Sequence, residues 1–249
     1  QDGRVFVAGD AAHLNWPAGG FGMNTGVGGA VDIGWELAAV LLGWGGKQLL
    51  DSYTAERKPI AMINDNEAAE MRASFDKQTP FSSQIEEDSE EGKQLREKAR
   101  AAILRTRAKE FQHDSAGIEL GYRYENSPIC VSDGTPAPAL DHGLYVPSTW
   151  PGARAPHVWL EDGRSTLDLF GKGFTLLNLS GTSTATSTIT EAASRVELPL
   201  QIITIDDSKV REIYERNFVL VRPDGHVAWR GDQLPEDGAA IIDQVRGAD

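Results

Sequence analysis

The chain has 249 residues, 40% of them hydrophobic and 24% charged, with a formal net charge of −13 at neutral pH. This is ordinary globular composition, enough for one large domain or two small ones, and the acidic balance without any basic stripe argues against nucleic acid as a partner. Cys130 is the only cysteine, which excludes an intrachain disulfide, a CxxC redox pair and a cysteine-based zinc site and fits a reducing, cytoplasmic setting.

Gln1-Asp2-Gly3 leads into residues 4–8, where Val5, Phe6 and Val7 predict a buried strand. No initiator Met and no signal-like segment stand ahead of it, so the chain reads as a piece of something longer. No apolar run suits a bilayer, since the best candidate, from Trp35 to Trp44, is interrupted by Glu36 and Gly43; no membrane partner is expected. A glycine-rich loop follows the strand. A helix is then predicted over residues 31–42, with Val31, Trp35, Ala38 and Leu42 at helical spacing and Gly43 as its stop. A second helix is expected over 49–56, with Arg57-Lys58-Pro59 as a break or a new start.

The stretch from about Ser74 to Gln112 is polar. An acidic cluster of Glu86, Glu87, Asp88, Glu90 and Glu91 gives way at Lys93 to basic residues and a thin stripe of Leu95, Ala99, Ala102, Ile103 and Phe111. Acid before base suits a helix dipole, so the stretch reads as a solvated helix rather than an acidic metal or partner patch.

From about Ala116 the character changes. A proline-rich part is followed by buried-strand runs at 174–179 and 200–205, with a helix between them over 190–196. Residues 218–221 and 226–229 flank Arg222-Pro223-Asp224-Gly225, a strong hairpin signal. Residues 239–245 suit a closing helix. The order strand, helix, strand, hairpin, helix predicts a small α/β domain with a mixed sheet, because a tight hairpin forces antiparallel neighbours.

The most informative stretch is Gly9-Asp10-Ala11-Ala12-His13, followed by Pro17-Ala18-Gly19-Gly20-Phe21-Gly22-Met23-Asn24-Thr25-Gly26. It lies between the predicted strand and helix, where ligands of open α/β sheets collect. There an Asp accepts hydrogen bonds from sugar-type hydroxyls, and glycines let backbone N–H groups approach a flat or anionic ligand. A bare Gly-x-Gly would read more simply as a strand-to-helix turn.

The full string, with Trp35 and Leu37 on the following helix, resembles the second FAD-binding motif of the class A flavoprotein monooxygenases, the para-hydroxybenzoate hydroxylase type. The resemblance implies an FAD-binding Rossmann-like domain of which residues 1–115 are the C-terminal portion. It implies that Asp10, beside Gly9, bonds a ribityl hydroxyl and that Pro17 lies beside the isoalloxazine. The backbone around Gly20, Gly22, Met23 and Asn24 would cap the flavin pyrimidine edge. His13 is expected to pack behind the cofactor at the helix start rather than act as acid or base. Two departures stand out: Trp16 precedes Pro17 where the family often has Pro-Pro, and Gly29-Ala30-Val31-Asp32 replaces the common Asp-Ala-x-Asn.

A second resemblance covers residues 116–249. Leu120 to Tyr124, Pro151 to Leu160, Asp168 to Gly171 and Val221 to Arg230 resemble the thioredoxin-like C-terminal domain of phenol, hydroxybiphenyl and polyketide hydroxylases. Where a redox thioredoxin needs its Cys pair, this chain has Ser180-Gly181-Thr182-Ser183-Thr184, so the domain is expected to serve packing or homodimer contact. Arg154, His157 and Arg230 are expected to anchor loops rather than bind an anion, and Cys130 to be an inert small residue. The G-x-G-x-x-G fingerprint that holds the ADP half of FAD does not occur, so this stretch alone is expected to hold FAD weakly or not at all. The combined resemblance implies a cytoplasmic FAD- and NAD(P)H-dependent hydroxylase acting on a phenolic or related aromatic small molecule, possibly a polyketide. The alternative is a non-catalytic thioredoxin-like module carrying a relic half flavin site.

Overall fold

A computed structural model describes residues 3–77, 82–109, 115–181 and 186–248. Gln1, Asp2, Phe111, Gln112 and Thr182 to Thr184, named above, lie outside the described residues. The chain begins with a 3-10 turn at Gly9–Ala11, then helix α1 at Phe21–Leu41, α2 at Leu49–Lys77, α3 at Glu90–Lys109 and the short α4 at Ala116–Glu119. The remainder runs β1 (Phe174–Asn178), α5 (Ser187–Arg195), β2 (Leu200–Thr204), α6 (Ser208–Tyr214), β3 (Phe218–Val221), β4 (Val227–Gly231) and α7 (Gly238–Val245).

The first expected strand is corrected. Residues 4–8 belong to none of the four strands, and Val5 and Val7 are 67% and 46% exposed. An apolar run becomes a strand only when a neighbour exchanges backbone bonds along it, and here Val5 alone is a bridge residue. Helix α1 starts ten residues earlier than expected. Gly19 and Gly20 both take φ of +72°, a left-handed conformation natural to glycine, and this turn launches the helix at Phe21.

The break expected at Pro59 is also corrected, because α2 runs straight through it. Its buried positions, Leu49, Ser52, Tyr53, Glu56, Arg57, Ile60, Asn64, Ala68 and Met71, follow one continuous stripe. Pro59 and Ala55 are exposed, so the carbonyl that loses its donor faces water. Helix α3 is the solvated helix anticipated, with only Leu95, Ala99 and Ala102 of its apolar stripe half-buried.

The sheet order is β2-β1-β3-β4. β1 pairs parallel with β2 from Phe174↔Leu200 and antiparallel with β3 through Thr175↔Val221. β3 and β4 form the expected antiparallel hairpin, with Gly225 at φ +84° in its turn. Helix α6, for which no helix was expected, is capped by Asp207, whose side chain accepts from the backbone N–H of Lys209. One sheet face, through Phe174, Leu176 and Leu220, packs on α5 and α7; the other, through Leu177, Val219 and Val221, packs on Val210 and Tyr214 of α6.

The first of these cores is shared along the chain. Trp35, Trp44 and Leu49, from α1 and the start of α2, are buried in the same cluster as Phe174 and Ile242. Trp35 and Trp44 stack at 6.3 Å, and Phe174 meets both edge-on at 6.3 and 6.2 Å. Backbone contacts reinforce the seam: the Gly46 N–H donates to the Arg246 carbonyl at 2.6 Å, and Gln48 N–H to that of Gly247 at 2.9 Å. Phe174→Ala is therefore expected to lower the unfolding free energy by about 3–5 kcal/mol. Urea denaturation followed by tryptophan fluorescence checks it, since the two indoles flank the deleted ring.

Candidate functional site

The glycine-rich segment forms one open surface at the head of α1. The 3-10 turn carrying Gly9 and Asp10 packs against the helix at Gly26, where a Cβ would lie 3.4 Å from the Gly9 Cα. Gly22 faces Asn15, whose Cβ would be 3.8 Å from an added Cβ, and Gly20 has nothing within 4 Å. Neither position is forced to be glycine by neighbouring protein atoms, although Gly20 needs its positive φ. The space they leave opens outward.

Asp10, Pro17, Gly20, Met23 and Asn24 are exposed, Met23 at 76%, while Gly9 and Gly22 are half-buried. Gly20 gives α1 no side-chain cap, so the helix presents first-turn amides of the kind that helix geometry leaves without an intrahelical acceptor. Asn24 turns back on the helix, its Nδ2 donating to the Gly20 carbonyl at 2.9 Å. An acidic acceptor on a glycine turn, beside an uncapped and open helix amino end, suits a ligand with sugar-type hydroxyls and an electron-rich ring edge.

His13 is not at the start of the helix. It lies in the loop eight residues before Phe21, its Nδ1 3.1 Å from Asn15 Oδ1. It helps line a cavity of about 350 Å³ between this loop and the first two helices, with Val7, Thr25, Tyr53, Arg57 and Asp65 among its walls. Tyr53 closes one side by donating to the Val7 carbonyl at 3.0 Å.

Behind this surface lies a buried polar network that the sequence reading missed. Arg222, fully buried just after β3, grips Glu56 of α2 with both terminal nitrogens, at 2.6 and 2.8 Å, and Asp224 at 2.5 Å. Its guanidinium lies 5.2 Å from the Trp35 ring and 5.3 Å from that of Tyr124. Tyr124 donates its hydroxyl to Asp32 at 2.7 Å and accepts from Arg57 Nη1 at 2.9 Å, and its ring packs on His226 at 4.4 Å. Asp32, Glu56 and Asp224 approach within 4.8 Å of one another, and Arg222 and Arg57 supply the opposing charge. Asp32 and Glu36, four residues apart on an otherwise apolar stretch of α1, were the legible signal. Arg222 directly after a four-residue apolar run was another.

The charges in this network are unequal. Burial, then the proximity of Asp224, raises Asp32 to about 6. Burial, then Glu56, raises Glu36 to about 9. Burial would raise Asp224 too, but Arg222 and then His226 outweigh it and hold its carboxyl below the usual range. Ser52 Oγ is 2.6 Å from the Leu49 carbonyl and donates towards Glu36 Oε1 at 3.2 Å; that bond favours the carboxylate but does not offset its burial.

His157 and Arg230 anchor loops as expected. His157 anchors to Ser165 at 2.6 Å, and Arg230 to Asp133, Glu215, Thr149 and Thr135. Arg154 engages His226 through a backbone bridge. Burial pushes the Cys130 thiol up to about 11, which keeps it protonated at neutral pH.

Two stretches of the chain match known protein families. Residues 1–68 match the FAD binding domain family, and residues 148–247 match the family described as aromatic-ring hydroxylase, C-terminal. The chain carries part of an FAD binding domain and an aromatic-ring hydroxylase C-terminal domain, and it is similar to FAD-dependent monooxygenases. It is 38% identical to the FAD-dependent monooxygenase apdD of Emericella nidulans over 99% of this chain and 41% of that protein. It is 35% identical to 2,4-dichlorophenol 6-monooxygenase of Delftia acidovorans over 99% of this chain and 47% of that protein. A solved structure of RebC-10x superposes with a TM-score of 0.88 at 43% identity, covering all of this chain and 47% of that one. The chain thus spans about half the length of the relatives it matches. Among the described residues, no helix is long and apolar enough to cross a membrane.

The two network carboxylates give opposite consequences from the usual one. An Asp or Glu raised in the fold stabilises it below its unfolded value and loses that contribution as pH rises towards the folded one. Glu36 therefore makes unfolding easier between pH about 4.5 and about 9, the unfolded and folded values. Glu36→Gln is expected to flatten this decline and to be more stable than the parent at pH 8, as read from urea midpoints across pH. Arg222→Met, which leaves Glu56 and Asp224 without their cation, is expected to cost about 3–5 kcal/mol in the same assay.

Proposed function

We propose that the protein is an FAD- and NAD(P)H-dependent monooxygenase that hydroxylates a phenolic or related aromatic substrate, a polyketide ring included. The observation that carries the reading is the surface at the head of α1. There the Asp10 turn packs on Gly26 beside an open, uncapped helix end, within the stretch that matches the FAD binding domain family. Supporting it, residues 148–247 match the C-terminal part of aromatic-ring hydroxylases, and one relative is named for a chlorinated phenol.

In this reading Asp10, on its turn with Gly9, accepts a hydrogen bond from a ribityl hydroxyl. Gly20 and Gly22 leave room for the ring, and the amides around Gly22, Met23 and Asn24 face its pyrimidine edge. There the positive end of the α1 dipole stabilises negative charge with little reorganisation. Pro17 stands beside the ring as an exposed, conformationally fixed wall. When bound, the cofactor supplies the redox chemistry: electrons from NAD(P)H, activation of oxygen and transfer of a hydroxyl group to the aromatic ring.

Residues 1–115 are read as the C-terminal portion of the flavin domain and 116–249 as a thioredoxin-like domain, supported by the β-α-β-α-β-β-α order and mixed sheet. That domain's proposed work is packing on the flavin domain or homodimer contact, in a cytoplasmic protein.

The test uses the full-length protein. A phenol-dependent oxidation of NAD(P)H with a stoichiometric hydroxylated product is the expected outcome, whereas oxidation yielding only peroxide across a phenol panel argues for a different flavin chemistry. Asp10→Ala is expected to lose FAD on gel filtration while the fold survives by circular dichroism; unchanged flavin content would remove Asp10 from the site.

A further inference from the structure

We propose that Arg57, held in place by Tyr124, is a positioning residue for the amino-terminal turns of α1 and, through them, for the flavin ring. The proposal rests on the reading that this helix end faces FAD. Neither side chain belongs to the exposed surface assigned to the cofactor. Their influence passes through the helix.

Helix α2 holds the first turns of α1 at two points. Arg57 Nη2 donates to the Thr25 carbonyl at 3.1 Å, and Asn64 Nδ2 donates to Thr25 Oγ1 at 2.7 Å. Thr25 Oγ1 in turn donates to the Phe21 carbonyl at 2.7 Å, in the turn whose amides are assigned to the ring edge. Thr25, Arg57 and Asn64 are all buried, so water is a poor substitute for these bonds.

The guanidinium is itself fixed from the far side. Tyr124 accepts from Nη1 at 2.9 Å while donating to Asp32, and the Arg57 Nε lies 3.7 Å from the same carboxylate. Gly28 leaves room for it: a Cβ there would lie 2.6 Å from Nη2 and 3.1 Å from Cζ, so any side chain would push the guanidinium aside. Tyr124 packs against His226 of the β3–β4 hairpin. The sheet domain therefore reaches the head of α1 through one phenol and one guanidinium.

Tyr124→Phe removes a single hydroxyl, and Gly28→Ala presses on the guanidinium while improving intrinsic helix propensity. Both are made in the full-length protein and compared with the parent and with Asp10→Ala. FAD affinity is measured by fluorescence titration, the flavin midpoint potential by dye equilibration, and thermal unfolding with and without FAD. Both variants are expected to weaken FAD binding by roughly threefold to thirtyfold, the range a single hydrogen bond supports. Both are also expected to make the midpoint potential more negative, because misaligned amides stabilise the reduced ring less. A purely structural role would lower the unfolding temperature and leave affinity and potential unchanged, and that result would overturn the proposal. If Tyr124→Phe does not fold, Gly28→Ala decides alone. A parent protein that binds no FAD overturns the underlying reading and the proposal with it. A parent that binds FAD and responds to Asp10→Ala, beside variants that match it, overturns the proposal alone.

Discussion

The ion pair between Arg222 and Glu56 is the constraint around which the rest of the structure is arranged. It joins the first residue after β3 to the first third of α2, 166 residues apart in sequence, with neither side chain exposed. Removing two charges from water is costly, and their attraction offsets that cost only with good geometry and further hydrogen bonds. Both conditions are met: the contact is bidentate, Asp224 takes up the remaining guanidinium edge, and Ser127 donates to Glu56 at 2.5 Å. Such an arrangement tolerates little sliding of the hairpin against α2, because a slide would leave a buried charge without its partner.

The shared core makes that register consequential. The sheet face built from Phe174, Leu176 and Leu220 is completed by Trp35, Trp44 and Leu49, which belong to the helices carrying the candidate cofactor surface. The same helices carry Asp32, Glu36, Glu56 and Arg57 into the polar network. Apolar burial and buried charge therefore meet along one seam, with Trp35 lying between them under the Arg222 guanidinium. The exposed glycine surface at the head of α1 is an extension of this seam, held through Thr25, Asn64 and Arg57.

Much of the sheet domain was legible in the sequence. The apolar run at β1, the Asp-Gly turn and the closing helix lie where their patterns put them, because strand burial and turn chemistry are local signals; β2 forms where expected, but as a half-exposed edge strand and not the buried one its apolar run predicted, because it has a strand neighbour on one side only. Helix α6 was not legible: at seven residues its only clear local mark is the Asp207 cap. The strand expected at 4–8 failed for the opposite reason, since its pattern was right but pairing requires a neighbour. Pro59 misled as well. A proline breaks a helix when the lost bond is buried, and here α2 turns that position to solvent.

By itself, the sequence determined the chemical identity of the candidate site. Gly9, Asp10, Gly20, Gly22 and Asn24 are close in the chain, and positive φ, an uncapped helix start and an acidic turn depend on residues within a few positions of one another. Only the tertiary structure decided what stands behind that site. Arg57, Tyr124, Arg222 and Asp224 come from segments tens to more than a hundred residues apart, and nothing in the neighbourhood of any one of them names its partners. Their roles exist only when burial strips away water and leaves each charge no partner but the others.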